Sequence, residues 1–151
     1  METTETYLNE LSISYHKKLF SHTSIKNSKD AEQVIRDIYN QTRSEIELKE
    51  YFFIILLNRA NEVIGYYKLS EGGIHSTDVD IRLVFATALK SLAVGLIMSH
   101  NHPSGNLRPS EQDIKLTGKF MRAGELLDIK VLDHIIISSQ SYCSLSDEGM
   151  V

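Results

Sequence analysis

Residues 99–113 read Ser99-His100-Asn101-His102-Pro103-Ser104-Gly105-Asn106-Leu107-Arg108-Pro109-Ser110-Glu111-Gln112-Asp113. The stretch runs from an apolar strand through a turn-rich loop into a helix. The residues leading into it, AVGLIMSH (93–100), form an apolar run of the length of one buried strand. In an extended segment residues i and i+2 point to the same side, so His100 and His102 present two imidazoles to one point. Pro103, Gly105 and Pro109 shape a tight return. Ser110 is placed to cap a helix whose first turn holds Asp113. Two neutral imidazoles and one carboxylate suit zinc, and three protein ligands leave a fourth position open for water, the mark of a catalytic rather than a structural site. The alternative, incidental polar residues on a loop, fits the joint spacing poorly.

Zinc lowers the pKa of bound water toward ~7, but a base must still accept the proton and return it to the leaving group. Glu50 is the first choice for that base, because it stands at the entry to the apolar strand Tyr51 to Leu57, which can pair near the strand leading into His100. The alternative is a solvated charge at a strand end; Glu45 and Glu47 are weaker contenders. Ser110 is a candidate both as helix cap and as hydroxyl donor to a developing oxyanion. One hydroxyl cannot fully satisfy both, and capping is the expected role.

Working outward, YFFIILL (51–57) and VIGYYKLS (63–70) flank the polar tetrad Arg59-Ala60-Asn61-Glu62 and read as a hairpin of central strands. Ahead of it, Ala31, Val34, Ile35, Ile38 and Tyr39 recur at helical spacing, predicting a helix over about 29–42. Leu11, Ile13 and Tyr15 alternate with serines and predict a short first strand. Gly72-Gly73 breaks the second hairpin strand, after which Val84, Phe85, Ala88, Leu89 and Leu92 predict an amphipathic helix. The helix capped by Ser110 carries Ile114, Thr117, Phe120 and Met121 on related faces, and KVLDHIIIS (130–138) and SYCSL (141–145) close the chain as strands. The expected fold class is a mixed α/β (α+β) sheet flanked by helices, with residues 1–151 as one domain and no repeat or linker.

The chain has 151 residues, 42% of them hydrophobic and 24% charged, which suits one globular core and neither disorder nor a disulfide scaffold. Its apolar runs fall short of the ~20 residues that cross a bilayer. The start, METTETYLNELSISY, lacks a secretory pattern, so a cytoplasmic home is expected. Cys143 is the single cysteine and is expected to be a packed thiol. A net charge of -4 gives no general basis for non-specific nucleic-acid affinity. Arg108, Lys115, Lys119 and Arg122 could form a basic rim, but a solvated helix face, mixed with Glu111, is the better expectation. His16, His22 and His75 have no chelating partners at useful spacing. Met98 and Met121 are expected as core filler. His134, between Asp133 and an apolar run, is expected as a hydrogen-bonded core histidine; the alternative is an outer partner that orients a ligand.

The pattern H-x-H-P, six residues, Ser, two residues, Asp, with an upstream glutamate, resembles the JAMM motif of JAB/MPN-type metalloproteins. HNHPSG, PSEQD and LDHIII narrow the resemblance to the RadC branch, whose members were named as DNA repair proteins, over roughly residues 28–151. The resemblance implies a JAB/MPN-like, cytidine-deaminase-like sandwich, zinc on His100, His102 and Asp113, and Glu50 as catalytic acid-base. Relatives elsewhere in that superfamily cleave isopeptide bonds to ubiquitin-like tails. RadC-like chains usually carry an upstream helix-hairpin-helix segment, for which the first ~27 residues are too few, and their Pro-Arg-Glu run is Ile81-Arg82-Leu83 here. The expected function is a zinc-dependent hydrolase of amide or isopeptide-type bonds; the alternatives are a DNA-repair nuclease or phosphodiesterase and a non-catalytic, zinc-braced binding module. Neither the peptide, protein or nucleic-acid substrate nor the oligomeric state is encoded in a readable motif.

Overall fold

The strand β1, Tyr51–Leu57, is apolar at every position because helices cover both of its faces. In the computed structural model, which describes residues 10, 12, 14–16, 18, 20, 23–72 and 79–151, β1 lies inside a five-stranded sheet. The other strands are β2 (Val63–Glu71), β3 (Gly95–Asn101), β4 (Lys130–Ile137) and β5 (Tyr142–Ser144), in the order β2-β1-β3-β4-β5. β1 pairs antiparallel with both β2 and β3, β3 and β4 run parallel, and β5 returns antiparallel on β4. The helices are α1 (Ser28–Thr42), α2 (Ile81–Lys90) and α3 (Glu111–Leu126), the last connecting the two parallel strands.

Strand alternation divides the core into two layers. Phe52, Ile54, Leu56, Leu96 and Met98 pack with Val84, Phe85 and Ala88 of α2 and Leu116 and Phe120 of α3. On the other face Tyr51, Phe53, Ile55, Leu57 and Ile97 meet Ala31, Val34, Ile35, Ile38 and Tyr39 of α1. This mixed α/β sandwich is the expected fold class, and α1 buries all five residues of its predicted stripe. The alternation also sorts the site: His100 continues the row that faces α3, whereas Asn101 continues the row that faces α1.

Some predicted faces differ. Leu89 and Leu92 were expected on the buried stripe of α2, yet Leu92 is 83% exposed and Leu89 49%. The helix stops at Lys90, and Leu92 adopts a left-handed φ of 58° with the amides of Leu92 and Ala93 returning to the carbonyls of Leu89 and Ala88. This terminating turn, usually built on glycine, carries Leu92 out of register with the core, whereas Leu89 lies inside α2 beside the face that Val84, Phe85 and Ala88 bury. On α3, Ile114 points outward while Asp113, Leu116, Thr117, Phe120 and Gly124 face inward and Met121 is half-buried. The inward arc is set one residue earlier than expected, because the helix must aim Asp113 at the end of β3. For the predicted first strand, Leu11 and Ile13 lie outside the described residues; Tyr15 is exposed and in no strand. No helix among the described residues is long and apolar enough to cross a membrane.

Candidate metal centre

His100 is the next-to-last residue of the buried strand β3 and His102 follows the strand, still extended enough for its backbone amide to donate to the Ile137 carbonyl of β4 at 3.1 Å. Both rings project to the α3 side, and their Nε2 atoms stand 3.0 Å apart. Asp113 reaches them because Ser110 starts α3 with a reciprocal cap. The Ser110 hydroxyl accepts from the Asp113 amide at 3.1 Å, and Asp113 Oδ2 accepts from the Ser110 amide at 2.8 Å. Asp113 Oδ1, which the cap does not use, lies 3.3 Å from His100 Nε2. Nε2 of His102 lies 3.6 Å from Oδ2. His100, His102 and Asp113, the three residues expected from the spacing, thus converge in a group that can hold a metal ion.

Hydrogen-bond direction supports that reading. The ring nitrogen Nδ1 of His102 lies 2.5 Å from the Asn106 carbonyl, which can only accept, so Nδ1 carries a hydrogen. Its Nε2 then faces inward toward His100 Nε2, and two lone pairs at that separation are favourable only with a cation between them. In the metal-free protein a proton answers: the hydrogen bond to Asp113 raises the pKa of His102 above its ordinary value, against the opposing effect of burial, with smaller help from Asn106 and the charge of Glu50. For Asp113, burial alone would raise the carboxyl pKa, but the neighbouring imidazoles of His100 and His102 and the hydrogen bond from the Ser110 amide prevail and hold it far below the usual carboxylate range. A tetrahedral ion with bonds of about 2.0–2.1 Å sets its donors roughly 3.3–3.4 Å apart. The observed 3.0 Å and 3.3 Å edges lie close to that spacing.

His134 is not merely a core histidine. It is fully buried, but its Nε2 lies 2.7 Å from His100 Nδ1 and its Nδ1 lies 2.6 Å from the Thr117 hydroxyl. Burial pushes its pKa well below the ordinary value, as do the nearby charges of His100 and His102, with Asp113 opposing. Phe52 stacks on the His100 ring at 5.8 Å and 3°, closing the site on the sheet side.

Glu50 stands immediately before β1, whose register sets Phe52 opposite His100. Its carbonyl accepts from the Gly72 amide at 2.8 Å. Two residues that support the site were missed at the level of sequence. Asn101, between the histidines, donates to the Ile46 and Lys49 carbonyls at 2.7 and 2.6 Å and accepts from the Tyr51 amide at 2.7 Å and the Tyr39 hydroxyl at 3.0 Å. The backbone on both sides of Glu50 is therefore pinned by the strand that carries the ligands. Thr117, one turn beyond Asp113, is the other. Strand alternation and i,i+4 spacing were the available signals for the two. Glu45 and Glu47 are exposed on the preceding turn, and Arg108, Lys115, Lys119 and Arg122 are all exposed. Cys143 is a half-buried free thiol. His16 is exposed; His22 and His75 lie outside the described residues.

Two histidines at a strand end and an aspartate on the next helix give this α/β sandwich a group of side chains that could hold a metal ion. The chain belongs to the RadC-like JAB domain family, which matches residues 25–150. It is 46% identical over 126 residues to a UPF0758 protein of Flavobacterium johnsoniae, covering 83% of this chain and 53% of that one. A UPF0758 protein of Geotalea uraniireducens is 37% identical over 142 residues, 94% of this chain and 60% of the relative. The chain thus spans a little over half the length of these curated relatives.

Proposed function

We propose that this chain is a zinc-dependent hydrolase acting on amide or isopeptide-type bonds. The observation that carries the reading is the convergence of His100 Nε2 with His102 Nε2 at 3.0 Å and with Asp113 Oδ1 at 3.3 Å, with Nδ1 of each histidine committed outward. Zinc held by these residues supplies Lewis acidity, bringing the pKa of water toward ~7 and polarising a carbonyl oxygen. The chain's own residues do the rest. Glu50 takes a proton from water at its carboxylate and hands it to the leaving nitrogen; its place beside the histidine strand and the effect of its charge on His102 support that role. Ser110 caps α3, and its exposed hydroxyl, already accepting from Asp113, keeps one hydrogen to offer an oxyanion. An amide substrate agrees with the exposed charges around the loop, where Glu111 interrupts the basic residues, and with the net charge of -4. Cytoplasmic residence fits a chain with one cysteine, half-buried.

The test is metal dependence of hydrolysis across a panel of peptides and isopeptide-linked peptides. Cleavage is expected from the zinc-loaded chain, lost on chelation and restored by zinc; cleavage that survives chelation, or activity confined to phosphodiesters, overturns the reading. Acid should also weaken metal binding. A ligand must shed its proton to bind, and the His102 pKa is raised, so affinity falls as pH drops through that pKa, approaching tenfold per pH unit from this residue alone. Zinc competition titrations between about pH 8 and pH 5.5 check the slope, and a flat profile contradicts it.

A further inference from the structure

The chain His100–His134–Thr117–Asp113 has only one consistent arrangement of hydrogens once its last bond is assigned. Thr117 Oγ1 lies 2.7 Å from the backbone carbonyl of Asp113, an acceptor only, so the threonine spends its one hydrogen there. Toward His134 Nδ1, at 2.6 Å, the hydroxyl can then only accept, which puts a hydrogen on Nδ1. With His134 fully buried and uncharged, its Nε2 is left as an acceptor, and the 2.7 Å bond to His100 must be donated by His100 Nδ1. The lone pair of His100 is thereby directed through Nε2 to Asp113 and His102.

We infer that His134 and Thr117 are positioning residues that fix the tautomer and ring orientation of His100, delivering it to the metal centre already in its ligating form. The inference rests on the metal-site reading above but adds an outer shell to it. The device has two structural consequences. One chain of hydrogen bonds ties a ligand on β3 to the backbone of a ligand on α3, so the two elements hold their donors in fixed relation. The outer partner of His100 is also a neutral imidazole, where metal-bound histidines commonly lean on a carboxylate or carbonyl. No negative charge is added behind the ligand, so the centre keeps more of the ion's positive charge.

Long-range 1H–15N imidazole spectra of the metal-free chain, with zinc affinities measured by chelator competition, test this. The wild-type chain is expected to show His134 as the Nδ1–H tautomer, the less common form of a free neutral imidazole, and His100 likewise hydrogenated at Nδ1. His134→Phe keeps the ring and removes the acceptor; its zinc affinity is expected to fall about 10–100-fold. His134→Gln, whose side-chain oxygen can accept from His100 Nδ1, is expected to recover most of that loss. Thr117→Val serves if His134→Phe fails to fold, with loss of the fixed His134 tautomer and several-fold weaker zinc binding expected. A wild-type His134 hydrogenated at Nε2, or a folded His134→Phe or Thr117→Val that binds zinc as the wild type does, overturns the inference. Failure of the wild type to bind zinc at all strikes the proposed function instead, and the tautomers of the metal-free chain still decide this one.

Discussion

Glu50→Gln is expected to keep its zinc and lose hydrolysis by about 10²–10⁴-fold, the usual contribution of a positioned acid-base group. Glutamine preserves the volume and the backbone bond to Gly72, which comes from the main chain and is indifferent to the side chain. It cannot carry a proton from water to a leaving nitrogen. The metal ligands are untouched, and the charge of Glu50, which has a small effect on His102, attracts a proton and a zinc ion alike. Metal affinity should therefore change little while turnover collapses. Parallel measurement of zinc content and cleavage rate on the variant checks this. A variant within a few-fold of wild-type turnover would remove Glu50 from the chemistry; one that loses its metal would give it a structural role instead.

The second large effect is expected at Asn101. All four hydrogen-bonding positions of its buried amide are used, two on carbonyls of the turn before Glu50, one on the Tyr51 amide and one on the Tyr39 hydroxyl of α1. Asn101→Ala strands these partners in an interior where an unsatisfied group costs about 1–3 kcal/mol. Allowing for water entering the gap, the loss of stability should be about 3–5 kcal/mol, a fall in Tm on the order of 10 °C. The functional signature is more specific. Because His100 and His102 hold their own bonds to His134 and the Asn106 carbonyl, metal binding should suffer less than turnover, which depends on where residues 46–51 place Glu50. Thermal unfolding with a zinc titration on the same sample separates the two, and equal losses in affinity and turnover would contradict the assignment.

Much of this architecture was legible in the sequence for reasons that can be named. β1 announced itself by being apolar at all seven positions, which requires cover on both faces, and α1 by a stripe with no interruption. The ligand set was legible because two short-range geometries, i,i+2 on a strand and the third residue after a capping serine, each fix a side chain without help from the rest of the fold. What depended on packing between distant segments was not. His134 is 34 residues from His100, and only the parallel register of β3 and β4, which pairs Met98 with His134, brings the rings together. The outward turn of Leu92 depends on a left-handed residue that no glycine signalled. Asn101 looked like a spacer between two histidines, because its role lies on the opposite face of the strand, toward Tyr39 of α1, 62 residues earlier in the chain.

Elemental analysis of the chain purified without chelators, alongside His102→Ala, tests the central claim most directly. Roughly one zinc per chain in the wild type, lost in a variant that remains folded, is the predicted result. A folded wild type that carries no metal and takes none up when zinc is supplied would contradict it.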